Sequence, residues 1–437
     1  MLQSCPMDTV SIVILSHNSR EHLEACLASV FALDYPAENT QVIVVDNASS
    51  DGTVAWLSQA HPRVTVVASP ENKGFAQGIH RGAAVASGEY LAFLNPDMRV
   101  DADWLSRLVE TIRSAPDVAC AGSVVLNWTG DKIDYAGRPD DALCLLPADP
   151  VDASTLPEPM HIPQLFPSGG AMLVRSDVYQ QLGGFDPDYF LYHEDVDFGW
   201  RLWASGHRVL RASGSLAYHK QGSATARIAP ATVAHWVDKH VLYTVLKNLE
   251  EPEFQRVLPR LAYCLVRRAN AWDLRHTSVA MALRDCLREA DALWTKRASL
   301  RARRVRDDAA IFAACGHPFE TLLNDPACEA FERYWEHQGV RGNCEDARSL
   351  AQYLLWVGFH AYAFNSESLA AELAAQQKKV NALVAHVGER QQAVERLGVQ
   401  LAEQTAKVNE LVQRDVVMAD RKRPSTFRRV LSRLGVH

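Results

Sequence analysis

The sequence predicts an α/β protein: a Rossmann-like, mostly parallel sheet, followed by an α-helical domain and a C-terminal coiled coil. Three observations predict it. Between residues 9 and 224, short β-branched runs alternate with amphipathic segments, the pattern of βαβ units. After residue 228 Leu, Ala, Arg and Glu dominate, proline is sparse, and the periodicity is helical to about residue 363. From Leu369 a heptad repeat begins.

Taken in order, the run Val10-Ser11-Ile12-Val13-Ile14-Leu15 reads as the first strand and residues 21–31 as the helix after it. Further strands are expected at 41–45, 64–67 and 90–94, each ending in a polar loop. Ligands of such sheets bind at the carboxyl ends of the strands, so those loops are where chemistry is expected. The Pro- and Asp-rich stretch 139–167 reads as a long surface connection, a lid over the acceptor. The expected divisions are 1–228 for the sheet domain, 229–365 for the helical domain, 366–415 for the coiled coil and 416–437 for a basic amphipathic tail.

The heptad seam runs through Leu369, Leu373, Gln376, Val380, Leu383, Val387, Arg390, Val394, Leu397, Leu401, Gln404, Val408 and Leu411. It predicts a homo-oligomer, with the polar seam positions fixing register; one amphipathic helix lying on the body is the alternative. In the tail, Phe427, Val430, Leu431 and Leu434 share one helical face, with Arg428, Arg429 and Arg433 away from it. That arrangement suits an anionic membrane surface; a solvated, disordered tail is the other reading.

The chain has 437 residues, 48% apolar and 22% charged, which calls for two or more domains. A formal net charge of -7 excludes a chain that is basic throughout, so nucleic acid is not an expected partner. Nine cysteines without a CxxC pair read as reduced thiols, neither a disulfide frame nor a zinc site. The first ten residues do not resemble a secretory signal, and no run of ~18 apolar residues appears. The expected location is cytoplasmic, with the tail reaching the inner face of the membrane.

Three clusters carry candidate chemistry. The first joins Ser16-His17-Asn18, at the end of the first strand, with Asp46-Asn47-Ala48-Ser49-Ser50-Asp51-Gly52 at the end of the second. A carboxylate there can accept from a ribose hydroxyl or a base N–H, although a lone Asp at a turn is as often a cap. The second is Asn72-Lys73-Gly74-Phe75-Ala76-Gln77-Gly78 with Leu94-Asn95-Pro96-Asp97. Its glycines allow close backbone approach to a ligand, and Asp97 stands where an oxygen ligand to a cation on a diphosphate would be needed. The third runs from Phe185-Asp186 through Tyr192-His193-Glu194-Asp195 to Asp197, with His219 beyond it. Its carboxylates are flanked by aromatics able to stack on sugar rings; capping of a first helical turn is the plainer alternative.

Together these motifs, with Gly183-Gly184-Phe185-Asp186 and Tyr218-His219, resemble glycosyltransferase family 2. The closest likeness is to the rhamnosyltransferase-like branch that builds bacterial surface polysaccharides such as O-antigen. The resemblance covers residues 9–224 and implies the GT-A fold. It implies that Asp46 contacts a uracil or thymine nucleoside, and that Asp97 is the last carboxylate of the DxD metal motif. Asp195 is then the catalytic base, and His219 completes the shell of a divalent cation, Mg2+ or Mn2+. The implied donor-binding set is Ser16, His17, Asn18, Asp46, Asn47, Gly74, Phe75, Asn95 and Asp97; Gly170, Asp186 and Glu194 are implied to face the acceptor.

The sequence departs from the family pattern where Asn95 replaces the first acid of DxD, His17 a tyrosine and His80 an asparagine. The QxxRW motif of processive members is not found after Asp195, which predicts one sugar per encounter. The expected reaction is an inverting single displacement from a dTDP- or UDP-linked sugar to a carbohydrate or lipid-linked acceptor. dTDP-rhamnose is the preferred donor on the family branch alone. Two rival readings differ from it in their sequence requirements. A nucleotidyltransferase would need a glycine-rich basic loop where Ser16-His17-Asn18-Ser19-Arg20 stands, and a scaffold with a decayed transferase domain would not need to keep Asp97, Glu194, Asp195 and His219.

Overall fold

The computed structural model describes residues 8–135, 151–155, 161–220, 228–251, 253–270, 276–315, 326–339 and 344–365, with 403, 405–407 and 410. The expected coiled coil, apart from those few positions, and the basic tail lie outside the described residues.

The strands are β1 (Val10–Ser16), β2 (Thr40–Asp46), β3 (Thr65–Ala68), β4 (Tyr90–Leu94), β5 (Met98–Val100) and β6 (Val118–Asn127). They continue with β7 (Lys132–Tyr135), β8 (Val151–Asp152), β9 (His161–Pro163), β10 (Ala171–Arg175) and β11 (Arg208–His219). The sheet order is β3-β2-β1-β4-β10-β6-β11-β5, with β7 on β6, β8 on β7 and β9 on β11. β1 to β4 run parallel; β10 enters antiparallel between β4 and β6, and β11 again runs parallel to β6. The carboxyl ends of β1, β2, β3, β4, β6 and β11 therefore share one edge.

Alternation along the strands divides the apolar side chains between two cores, as a sheet covered on both faces requires. Val13, Ile43, Val45, Leu91 and Phe93 belong to one; Ile12, Ile14, Val42, Val44, Ala92 and Leu94 belong to the other. Each Val, Leu, Ile or Phe among them, fully buried, contributes about 1.5–3 kcal/mol. The second face is covered by α1 (Arg20–Phe31), α2 (Thr53–Ala60) and α4 (Trp104–Arg113), through Leu23, Leu27, Leu57, Trp104 and Leu108. The first is covered by α3 (Gly74–Ala83), α5 (Ser176–Gln181) and α6 (Glu194–Ala204), through Ile79, Val178, Phe198 and Trp200.

That first core does not stop at the sheet domain. It runs on through α7 (Pro230–Asn248), α8 (Glu253–Asn270), α9 (His276–Arg288), α10 (Ala290–Arg303), α11 (Asp308–Ala314), α12 (Pro326–His337) and α13 (Ala347–Asn365). α7 starts with Pro230, a residue suited to a first turn whose N–H groups are unpaired anyway. α11 is capped by Asp307, whose carboxylate accepts from the Ala310 N–H at 2.7 Å.

One expectation is corrected. Within the stretch read as a surface lid, β8 and β9 pair into the sheet, and Gln164, Leu165 and Phe166 are buried. The reason is that β9 closes against β11 and feeds the core, where the Trp203 indole N–H donates to the Gln164 carbonyl at 2.9 Å. Residues 139–150 and 156–160 of that stretch lie outside the described residues.

Candidate active site

The carboxyl edge holds the first cluster by backbone register. Ser16 pairs with Asp46 and Asp46 with Ala68, while the Ser69 N–H donates to the Asp46 carbonyl at 2.8 Å. Asp46 Oδ2 accepts from the Ser49 N–H at 3.1 Å. Asp46 Oδ1, Ser16 Oγ and Ser69 Oγ are buried and have no hydrogen-bond partner among the described residues. Buried polar atoms are seldom left so, and three at the ends of adjacent strands suit the polar groups of a ligand. Ser69 carried no signal in the sequence, since a serine after a strand is ordinary turn chemistry.

The neighbouring residues shape this edge. His17 Nδ1 donates to the Asn47 carbonyl at 2.8 Å, leaving Nε2 to accept from Asn18 Nδ2 at 3.3 Å. Asn18, at φ 51°, accepts from the Ser50 N–H at 2.7 Å. Asn47 is buried and its amide donates to Asn72 Oδ1 and to the Gly74 carbonyl, which ties the first cluster to the second. His80, one of the departures from the family pattern, sits at 2.6 Å from the Phe185 carbonyl and so braces the fold.

The glycines of the second cluster approach the chain itself. Gly74 has φ 84°, and a Cβ there would lie 2.3 Å from the Phe190 carbonyl oxygen; a Cβ on Gly78 would lie 2.4 Å from the Leu15 side chain. Phe75 N–H donates to that same Phe190 carbonyl at 2.7 Å.

Gly169 and Gly170, just before β10, are where the clusters meet. A Cβ on Gly169 would touch Asp195 Cβ, Glu194 Oε1 and Phe75 Cε1 at 3.3 to 3.5 Å; one on Gly170 would lie 2.5 Å from Asn95 Nδ2. The Asn95 N–H donates to the Gly170 carbonyl at 2.9 Å. Asn95 thus packs on Gly170, two residues before Asp97.

Asp97 is buried, and its Oδ2 lies 3.6 Å from His219 Nε2. On the other side of the ring, His219 Nδ1 lies 3.3 Å from Asp134 Oδ2. Burial pulls the imidazole pKa down, but the Asp97 and Asp134 carboxylates outweigh it and raise it above the ordinary value. Asp134 was missed in the sequence; it reaches His219 only because the β7 hairpin folds back on β6, a contact across 85 residues. The imidazole separates the two carboxylates. Among the described residues no three His, Cys, Asp or Glu side chains converge as a metal cage.

Glu194 and Asp195 open α6. Asp195 Oδ2 accepts from the Gly169 N–H at 2.9 Å and Oδ1 from the Val196 N–H at 2.8 Å. Glu194 is buried, with Oε2 lacking a hydrogen-bond partner among the described residues. Burial raises both carboxyl pKa values, and for Glu194 the Asp195 charge raises it further.

Asp186 goes elsewhere than the expected acceptor side. Its carboxylate is buried between Lys247 of α7 and Lys296 of α10, each at 2.6 Å. Burial pushes its pKa up, but the two lysines overcome this and hold it well below the usual range. The whole segment after it lies along α7. Asp188 accepts from the Tyr243 hydroxyl at 2.8 Å, the Tyr189 hydroxyl lies 2.9 Å from Thr244 Oγ1, and Phe190 packs on Trp236 with ring centroids 4.7 Å apart. The physical reason is charge balance: a buried Asp is stable only beside a cation, and the helical region supplies two.

Such a mixed sheet, with buried, unpaired polar atoms at its carboxyl edge and a pair of raised carboxyls, is that of a GT-A-type glycosyltransferase domain. Residues 11–183 match the model of glycosyl transferase family 2. The chain is a glycosyltransferase that carries this domain and is similar to members of the rhamnosyltransferase-like branch. It is 28% identical over 253 residues to the N-acetylglucosaminyl-diphospho-decaprenol L-rhamnosyltransferase of Mycobacterium tuberculosis, covering 52% of this chain and 81% of that protein. It is 28% identical over 237 residues to the O-antigen biosynthesis protein RfbC of Myxococcus xanthus, covering 51% of this chain and 18% of that one. Among solved structures, S. aureus TarS 1-349 in complex with UDP is 16% identical with a TM-score of 0.47, covering 83% of this chain and 92% of that one.

Proposed function

We propose that this chain transfers one hexosyl unit per encounter, with inversion, from a nucleotide sugar to a glycan or lipid-linked glycan acceptor in surface-polysaccharide synthesis. The preferred donor is dTDP-rhamnose, by analogy with the mycobacterial relative; a UDP-sugar is the alternative. The observation that carries the reading is the setting of Asp195, held by the Gly169 N–H on the edge that also bears Asp46 and Asp97.

In this reading Asp46, Ser16 and Ser69 hold the nucleoside through their unfilled hydrogen-bonding capacity. As the acceptor oxygen bonds to the anomeric carbon, its proton passes to Asp195 and the anomeric C–O bond to the nucleoside diphosphate breaks. One attack on the opposite face gives inversion. The raised pKa of Asp195 makes it a stronger base, and Glu194, raised further, favours its neutral form beside it. Asp97 and His219 would hold Mg2+ or Mn2+, which when bound would neutralise the departing diphosphate. With so few protein ligands, the ion's shell would need the donor's own phosphate oxygens, a common arrangement for Mg2+. The heptad seam and basic tail support an oligomer at the inner membrane face. Among the described residues no helix is long and apolar enough to cross a membrane.

The test is a thermal-shift panel of dTDP-rhamnose, UDP-galactose, UDP-N-acetylglucosamine and GDP-mannose, with and without Mn2+. A ligand at 100 times its Kd stabilises by about 2.7 kcal/mol. A metal-dependent shift with dTDP-rhamnose alone supports the reading; a shift with a UDP-sugar alone moves it to the alternative donor, and none with any donor counts against it.

A further inference from the structure

We propose that helix α7 belongs to the catalytic apparatus, with His240 as the positioning residue that holds Asp195 where it can take the acceptor's proton. The inference rests on the transferase reading above and deepens it. Its starting point is the backbone just before the two carboxyls. Tyr192 and His193 have φ values of 69° and 67°, and α6 begins at the next residue. The left-handed region is disfavoured for any residue with a Cβ, so two in succession persist only where the surroundings hold them.

What holds them comes from α7. His240 is buried, with Nδ1 at 2.8 Å from the Leu191 carbonyl and 3.0 Å from the Tyr192 carbonyl. Burial brings its pKa down to about 4, so near neutrality the ring is uncharged and its Nδ1–H donates to both oxygens. Tyr189 packs against the same ring, with centroids 4.9 Å apart. On the far side of Asp195, Lys247 Nζ and the Asn248 amide bind Asp197 Oδ1 at 2.6 and 2.8 Å. The turn is therefore tied to α7 both before and after the proposed base. All these ties come from beyond residue 183, where the match to the family model ends.

Without the His240 donor, the Leu191 and Tyr192 carbonyls lose that tie and the pair can relax toward right-handed geometry, drawing Asp195 from Gly169. Among the described residues Ser16, Asp46 and Ser69 make no hydrogen bond to His240, so the nucleoside contacts are expected to keep their geometry.

The experiment compares kcat and donor KM of the full chain with His240→Leu, which keeps bulk and removes the donor, and His240→Asn, whose amide can still donate. The Leu variant is expected to lose about 10²-fold in kcat, the scale of a misplacement near 1 Å, at unchanged donor KM, with Asn recovering most of it. Wild-type kcat in the Leu variant, an equal loss in the Asn variant, or a parallel rise in donor KM overturns the proposal. Should the Leu variant not fold, Tyr243→Phe removes only the hydroxyl that ties Asp188 to α7; an unchanged kcat there overturns it, and a lowered kcat at unchanged melting temperature supports it. A wild-type chain that transfers no sugar refutes the transferase reading itself, whereas active wild type with an unaffected Leu variant refutes only the role of His240.

Discussion

Replacing Asp195 by Asn separates catalysis from folding at one atom. The carboxylate serves two backbone donors, Gly169 N–H through Oδ2 at 2.9 Å and Val196 N–H through Oδ1 at 2.8 Å. An amide has one oxygen, so one of those N–H groups loses its acceptor, at about 1–3 kcal/mol. Against this, burial disfavours the charged form of Asp195, and the neutral amide escapes that penalty. The net loss should sit near the low end, about 1 kcal/mol, small beside a typical stability of about 5–15 kcal/mol. The rate should fall by about 10²–10⁴-fold through loss of a positioned base. Urea unfolding and initial rates with the donor picked out by thermal shift measure both on one preparation. A folded variant that keeps more than about a tenth of the wild-type kcat would refute the assignment of Asp195 as base.

Four further outcomes are expected. Lys247→Met removes the cation shared by Asp186 and Asp197, but Lys296 and Arg201 remain on them; denaturant unfolding should show about 3 kcal/mol lost, the lower end for a broken buried pair, and a loss under about 1 kcal/mol would contradict it. Asp97→Asn should raise the Mn2+ concentration needed for half-maximal rate while sparing the fold, and an unchanged metal titration would make Asp97 structural. Gly74→Ala brings a Cβ to 2.3 Å from the Phe190 carbonyl oxygen at a φ of 84°, so its melting temperature should drop beyond what the ~1–3 kcal/mol of left-handed strain gives alone. Because the folded-state pKa of Asp195 is raised, kcat should fall with acidification through a limb above the ordinary Asp value of about 3.9; a limb at or below that value counts against it as base.

How much of this was legible in the sequence depended on whether the determining contacts were local. β1, β2 and β4 were legible because strands covered on both faces read as continuous apolar runs, and the polar residues closing those runs mark the edge. The entry of β10 antiparallel beside β4 was not, since the run Ala171–Arg175 carries no mark of direction. Asp46, Asp97, Glu194 and Asp195 stand out as candidates through their motifs. Asp134 and Ser69 were not, because they reach the site only through tertiary pairing. The segment after Phe185 was misread for the same reason: its acids and aromatics suit a sugar or a helix equally, and Lys247 lies 61 residues away.

The shared core and the ties from α7 bear on how this protein can be recombined. A chimaera joined, or a fragment ended, near residue 228 would part Asp186 and Asp197 from Lys247 and uncover the apolar face on which Val241, Leu242 and Val245 rest. For exchange between relatives, the smallest interchangeable piece is the sheet together with α7 to α10, with its junction downstream of Lys296.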